Sequence, residues 1–359
     1  MPNPHHYGLI LAGGRGTRFW PRSRKRSAKQ VLAVAGERTL IQATVDRLAP
    51  VIAPEGLWVL TSEALRETII RQIPQVPERQ ILAEPMQRNT APAIGLIAHI
   101  LQSFDPQAVM GVFPSDHVIG NLGAFRKVVR AGLKGAAAGQ LMVVGIQPRW
   151  PESGYGYVEF PRGVKPGGLE PVPVRRFREK PSLARARRYV AAGNFYWNSG
   201  MFFWRTKVLL EQLRRHLPRT ASVLASLPRF GAPSFAAQLQ QAFPLCDNIS
   251  IDYAVLEKAD NVSGIPAGDF GWNDVGSWNA VYELMKRDGD GNAVVHDALC
   301  LEARGNFVDA RGKLVALVGV EDLIVVDTPD ALLVADRRRA QMVGDVVKAL
   351  EKRKREDLL

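Results

Sequence analysis

The sequence predicts a doubly wound α/β protein, a mostly parallel sheet covered by helices, followed by a smaller β-rich segment. Three observations carry this. Short apolar runs alternate with helix-period segments up to about residue 150. A three-glycine turn with basic flanks, Leu11-Ala-Gly-Gly-Arg-Gly-Thr-Arg18, follows the first of those runs. Beyond Asp288-Gly-Asp-Gly-Asn292, a stretch of turn residues, short β-branched runs recur at close spacing. The expected domains are therefore residues 1–287 and 288–359.

The apolar runs at 7–11, 57–61, 108–113 and 141–146 have strand length, and the segments 40–48, 64–70, 91–102 and 124–138 have helical period. In such sheets ligands bind beyond the carboxyl ends of the strands. From 150 to about 280 the pattern is irregular, with one clear helix at 182–192, and is read as an elaboration of the same domain. After 288, runs at 293–295, 306–308, 314–318, 323–326 and 331–335 suggest a small all-β domain or a few coils of a β-helix. Residues 340–359 read as a helical tail.

Composition narrows the class. The 359 residues are 46% hydrophobic and 23% charged, the balance of a globular protein with a sizeable core, and no apolar stretch approaches the roughly 20 residues of a membrane helix. No secretory signal is visible at the start, and two cysteines, Cys246 and Cys300, make no disulfide framework, so the expectation is a cytoplasmic protein with no membrane association. The formal charge of +12 is clustered: Arg15 to Lys29 nets +7, Arg175 to Arg188 +6 and Arg337 to Leu359 +4, leaving the rest at −5. No nucleic-acid-binding signature accompanies the clusters, so no nucleic-acid partner is expected, and small polyanionic substrates account better for the first two.

The glycine turn lets backbone amides approach phosphate oxygens, and Arg15, Arg18 and Lys29 add cations that a plain turn does not need. A Walker loop would end in Gly-Lys-Ser/Thr, and a dinucleotide fingerprint would have Gly where Phe19 stands, so both readings weaken. In Glu84-Pro-Met-Gln-Arg-Asn-Thr-Ala-Pro-Ala93, Thr90 is expected to cap a helix whose free amides read a base edge, with Pro92 in the first turn. Phe113-Pro-Ser-Asp-His117 ends a buried strand in Asp116, well placed for Mg²⁺, and Asp274 in the Gly-punctuated aromatic loop 269–278 is the second candidate ligand. His117 is expected to be a satisfied polar group. Gly154-Tyr-Gly-Tyr157 with Glu159, and Glu179-Lys-Pro181 followed by Trp197-Asn-Ser-Gly200, offer donors and acceptors for sugar hydroxyls and a charge for a phosphate, while the aromatics of 195–204 also suit a core.

In this order, together with Lys29-Gln30, Ser250-Ile-Asp-Tyr-Ala254 and Phe270-Gly-Trp-Asn-Asp-Val-Gly-Ser-Trp278, the motifs closely resemble those of the mannose-1-phosphate guanylyltransferases of the sugar-nucleotidyltransferase superfamily. The resemblance spans nearly the whole chain. It implies a Rossmann-like domain with a short left-handed β-helix, a homodimer, and the reaction of GTP with α-D-mannose 1-phosphate by in-line attack with no covalent enzyme intermediate. It further implies that Arg18, Lys29, Asp116 and Asp274 are catalytic, with Mg²⁺ on Asp116 and Asp274. GTP would bind along Leu11, Ala12, Gly13, Gly14, Arg15, Gly16, Thr17, Glu84, Arg88, Asn89, Thr90 and Ala93. Mannose 1-phosphate would face Tyr155, Gly156, Glu179, Lys180 and Asn198. The family's usual Pro before the signature Lys and Phe two residues after the Gln are here Ala28 and Leu32. The isomerase region of longer bifunctional relatives is missing, so one activity is expected. A non-catalytic sensor of GDP-mannose and transfer with another nucleotide and sugar pair are the competing readings; a sensor has no need of all four catalytic residues, which this chain retains.

Overall fold

The computed structural model describes residues 2–34 and 36–359. The chain begins β1 (His6–Ala12), α1 (Leu40–Leu48), β2 (Leu57–Ser62), α2 (Glu63–Gln72), β3 (Ile81–Glu84), α3 (Thr90–Phe104), β4 (Val109–Pro114), β5 (Val118–Ile119), α4 (Leu122–Ala137) and β6 (Leu141–Ile146). It continues β7 (Tyr157–Glu159), β8 (Val172–Pro173), β9 (Arg176–Arg178), α5 (Leu183–Ala192), β10 (Phe195–Arg205), α6 (Thr206–His216), α7 (Pro218–Ala225), α8 (Phe235–Ala242), β11 (Val262–Ala267), β12 (Trp272–Asn273) and α9 (Trp278–Leu284). The remainder is β13 (Ala293–Val294), β14 (Ala298–Leu301), β15 (Phe307–Asp309), β16 (Val315–Val318), β17 (Leu323–Thr328), β18 (Ala331–Asp336) and α10 (Val343–Lys352).

The main sheet runs β3-β2-β1-β4-β10-β6-β11-β8, with β7 and β9 off the β10 edge. Pairings β3/β2, β2/β1, β1/β4 and β6/β11 are parallel, while β10 lies antiparallel between β4 and β6. The sheet is therefore mixed and mostly parallel, as expected, but its centre is a strand that the sequence reading left open between sugar site and core. β10 is buried along almost its whole length because helices cover both faces, which removes the polar alternation that marks a half-exposed strand. The same sheet gains β3, also unforeseen. The irregular reading of 150–280 is corrected for 206–242, where α6 to α8 stand; Leu217-Pro218 breaks the helical period between α6 and α7.

The C-terminal strands form parallel coils. β13, β15 and β17 stack in register, as do β14 and β16, and β18 closes the first stack antiparallel. At one corner Asn306 donates to Asn292 Oδ1 at 2.9 Å and accepts from Leu323 N at 2.9 Å, an asparagine ladder that satisfies buried backbone groups between coils. This is a β-helix-like unit. The tail is shorter than expected, since α10 begins at Val343 after a 3₁₀ turn over Arg337–Met342. No helix is long and apolar enough to cross a membrane among the described residues.

The β-helix-like unit shares a core with the signature loop. Phe19, Trp20, Trp278, Phe307, Ile324, Val343 and Leu359 pack in one cluster, and Trp278 Nε1 donates to Trp20 O at 3.0 Å. Five of the seven basic residues in 15–29 are paired with acids: Arg15 with Glu351, Arg22 with Asp309, Arg24 with Asp330, Lys25 with Glu356 and Lys29 with Asp116. All but the last of these acids lie in the C-terminal unit, so much of the first basic cluster docks that unit.

Candidate active site

At the carboxyl ends of β1, β3 and β4, beside residues 198–202 of the antiparallel β10, the chain encloses a cavity of about 710 Å³. It is where an open α/β sheet is expected to place a ligand. The wall includes Leu11, Gly13, Gly14, Gly16, Lys29, Glu84, Asn89, Thr90, Ala93, Asp116, Tyr155, Gly156, Glu179, Lys180, Asn198 and Asp274, all named from the sequence. Ala12, Arg15, Thr17, Arg18 and Arg88 are off that wall. Ala12 is buried in β1 and Arg88 donates to Pro244 O. Arg15 and Arg18 are exposed and face the C-terminal segment, with Arg15 Nη2 2.7 Å from Glu351 Oε1 and Arg18 Nη1 2.6 Å from Gln341 Oε1.

The glycine loop is shaped by its neighbours. Gln30 Nε2 donates to Ala12 O at 2.6 Å and Gly14 O at 3.1 Å, turning the loop's carbonyls toward this buried side chain. Gly16 has φ 60°, and a Cβ there would lie 2.6 Å from Lys29 Cβ, so only glycine allows Lys29 to pass. Lys29 is 5% exposed, and its Nζ donates to Asp116 Oδ2 at 2.9 Å and to Asp274 O at 2.7 Å. One ammonium thus joins the two acid-bearing segments, whose strands β5 and β12 pair antiparallel.

Burial, the largest single influence, pushes the Asp116 carboxyl up, but the Lys29 ammonium and the hydrogen bonds the carboxyl accepts together hold it below its ordinary value. Burial holds His117 neutral, its value lowered to about 4, and its Nδ1 accepts from Trp272 Nε1 at 3.2 Å. His117 is a satisfied polar group, as expected. Burial also raises the Tyr155 phenol, and the charge of nearby Asp274 raises it further, so Tyr155 stays protonated. The acids Asp116 and Asp274 offer only oxygens, and no group of three or more His, Cys, Asp or Glu suited to a metal occurs among the described residues. Such a set fits a hard divalent cation that takes its other ligands from a phosphate substrate.

Glu84, expected at the base, ends β3 with its carboxyl raised by burial to about 7. The helix cap differs from the expectation: Asn89 at φ 64° is the N-cap, accepting from Thr90 N at 2.9 Å, and Thr90 is the first helical residue. Two of the amides expected to be free are engaged, since Ala91 N donates to Ile249 O at 3.1 Å. Among the residues expected at the sugar, Glu179 is raised to about 7, first by burial and then by the charge of Asp252, against the pull of Lys180. Asp252 lines the cavity and went unnamed as a site residue in the sequence reading, though it lies within the Ser250 to Ala254 motif. Glu159 is turned away to Arg176, 3.4 Å off. Positive φ at Asn89, Lys180 and Val275 (64°, 44° and 45°) marks local backbone strain on three sides of the cavity.

Residues 7–291 match the nucleotidyl transferase family, and residues 296–350 match a mannose-phosphate isomerase/GMP-like β-helix domain. The xanthan biosynthesis protein XanB of Xanthomonas campestris is 40% identical over 347 residues, covering 96% of this chain and 73% of its own. The mannose-1-phosphate guanylyltransferase ManC of Salmonella typhimurium is 40% identical over 354 residues, with the same coverage of 96% and 73%. Among solved structures, a Thermus thermophilus protein described as a mannose-1-phosphate geranyltransferase superposes with a TM-score of 0.84 at 33% identity, covering 97% of this chain and 99% of that one.

Proposed function

The chain belongs to the nucleotidyl transferase family, and from that premise we propose that it transfers GMP from GTP to α-D-mannose 1-phosphate, giving GDP-mannose and pyrophosphate. The observation that carries this is one cavity lined by a base-side acid, a phosphate-side glycine loop with Lys29, and a sugar-side polar set. The sugar phosphate is already ionised at neutral pH, so the reaction needs alignment and charge neutralisation rather than a general base.

Each group has a part in this account. The Glu84 carboxylate accepts from the N1–H and exocyclic amine of guanine, a donor pair that adenine and the pyrimidines do not present in the same way. The Gly13, Gly14 and Gly16 backbone lies along the triphosphate. Lys29 neutralises charge at the α-phosphate and, through its bonds to Asp116 and Asp274 O, keeps both acids in one orientation. Asp116 and Asp274 would hold Mg²⁺, which supplies charge neutralisation on the substrate phosphates when bound. Arg15 and Arg18 serve the pyrophosphate side by turning from Glu351 and Gln341. Tyr155, Gly156, Glu179, Lys180 and Asn198 face the sugar phosphate.

The proposal extends to a cytoplasmic homodimer. Two unpaired cysteines suit a reducing compartment. For the dimer, Leu299 and Leu301 on β14 and Val318 on β16 form an outward apolar row, 48%, 50% and 65% exposed, suited to a second copy of the chain.

Pyrophosphate release is measured across four nucleoside triphosphates and the 1-phosphates of mannose, glucose and N-acetylglucosamine, with Asp116→Ala beside the wild type. GTP with mannose 1-phosphate is expected to dominate, and the variant to lose about 100-fold or more. Dominance of another pair would overturn the base and sugar assignments. Tight GDP-mannose binding without turnover would make the chain a sensor.

A further inference from the structure

The sugar side of the cavity holds two carboxylates, Glu179 and Asp252, and not the Glu159 that the sequence also offered. Asp252 opens a short π-helical turn, Asp252–Leu256, that projects it into the same wall as Glu179, Lys180 and Asn198. Its backbone is anchored from the base side: Ile251 N donates to Thr90 Oγ1 at 2.9 Å, and Ala91 N to Ile249 O at 3.1 Å. Its side chain is anchored from β10, where Asn198 Nδ2 donates to Asp252 Oδ1 at 3.0 Å while Asn198 Oδ1 accepts from Gly200 N at 3.1 Å. The Gly200 bond fixes the Asn198 amide so that one of its hydrogens is aimed at Asp252.

Glu179 is held just as closely. Its backbone N donates to Glu257 Oε1 at 2.9 Å, and a Cβ at Gly156 would come within 2.3 Å of Glu179 Oε2, so the glycine exists to let that oxygen in. That buried Oε2 has no hydrogen-bond partner among the described residues. A buried acceptor left unpaired costs about 1–3 kcal/mol, and two carboxylates facing one wall repel each other. Lys180, 3.7 Å from Glu179 Oε1, answers only part of this. The missing donors are those that a polyol ligand carries.

We propose that Asp252 is a second specificity-determining carboxylate of the sugar subsite, accepting with Glu179 from two adjacent ring hydroxyls and so discriminating between epimers of the hexose 1-phosphate. This rests on the function proposed above and adds a residue and a rule to it. An epimer that turns one hydroxyl away leaves a carboxylate oxygen unpaired, which is the situation in which polar sites reject analogues most strongly. The arrangement also predicts a pH signature. Burial, Asp252 and Glu257 raise Glu179 to about 7 against Lys180, and burial raises Asp252 against Lys180 and its bonds from Ser250 and Asn198. Arg178, 3.9 Å from Glu257, is the other charge at this corner. The pair therefore holds a proton at neutral pH that two hydroxyl donors displace.

The test is steady-state kinetics of the wild type, Asp252→Asn and Glu179→Gln with mannose 1-phosphate and its 2-, 3- and 4-deoxy analogues, with the KM for GTP followed in parallel. Asp252→Asn is expected to raise the KM for mannose 1-phosphate about tenfold or more, to leave that for GTP within about twofold, and to abolish the penalty for one deoxy position. Glu179→Gln abolishes it for an adjacent position. In the wild type the KM for mannose 1-phosphate falls as pH rises through about 7, and in Asp252→Asn this fall moves to lower pH because Glu179 loses a repelling neighbour. The deoxy series on wild type alone keeps the test decisive if a variant does not fold: two adjacent positions must each carry a penalty. An unchanged sugar KM in Asp252→Asn, equal rises for both substrates, or no adjacent pair of penalties overturns the proposal and leaves the reaction intact. Wild-type enzyme that turns over no sugar phosphate overturns both.

Discussion

Replacing Glu84 by Gln separates two consequences of one buried carboxyl. Burial lifts Glu84 from an ordinary 4.5 to about 7, with no countercharge to offset it. In the unfolded chain Glu84 ionises from about pH 4.5, while in the folded chain it stays protonated until about 7. The native state thus binds more protons over that window, and stability falls as pH rises through it. At about 1.36 kcal/mol per pH unit, holding the carboxyl neutral from 4.5 to about 7 sets a ceiling of about 3.4 kcal/mol, reduced to about 2 kcal/mol because the side chain opens onto the cavity. Glutamine does not titrate. Urea unfolding at pH 4.5, 6 and 8 is therefore expected to show Glu84→Gln gaining about 2 kcal/mol on the wild type between the lowest and highest pH. The same variant presents an amide donor to guanine donors, so its KM for GTP rises by the about 1–3 kcal/mol of a bidentate base contact, roughly 5- to 150-fold, with that for mannose 1-phosphate unchanged. Parallel stability profiles would refute the buried-charge reasoning, and an unchanged KM for GTP would remove Glu84 from the base site.

Three further outcomes follow from the contacts. Gly16→Ala forces a Cβ into Lys29 at a φ of 60°, and is expected to cost about 1–3 kcal/mol in thermal unfolding and to lower kcat by displacing Lys29. Gln341→Ala frees Arg18 from its 2.6 Å contact, and is expected to lower both the KM for GTP and the inhibition constant of pyrophosphate; equal values for variant and wild type would show that the contact does not compete with substrate. Trp278→Ala removes a side chain 1% exposed that packs on Phe19 and Phe307, and is expected to cost about 3–5 kcal/mol by denaturant titration.

The sequence is most legible where local chemistry is unusual. A glycine run after an apolar strand, and an aspartate at the end of another, mark two walls of the cavity without any knowledge of the fold. β10 is hidden because its neighbours bury both faces, so its aromatic run carries no period. Asp252 sits in an irregular turn whose place is set by Thr90 and Asn198, contacts 161 and 54 residues apart in sequence. The arginines of the signature loop show the limit most clearly. Their residue type announces an anion, but Arg15 and Arg18 meet partners 336 and 323 residues away, which no local pattern encodes.

Because the residues proposed for base and sugar line one cavity together with Lys29, the account requires both substrates to be bound together for a single displacement. Exchange of labelled pyrophosphate into GTP, with and without mannose 1-phosphate, tests this directly. The account predicts no exchange until the sugar phosphate is added. Exchange with GTP and pyrophosphate alone would mean that the enzyme itself takes the guanylyl group, and would contradict it.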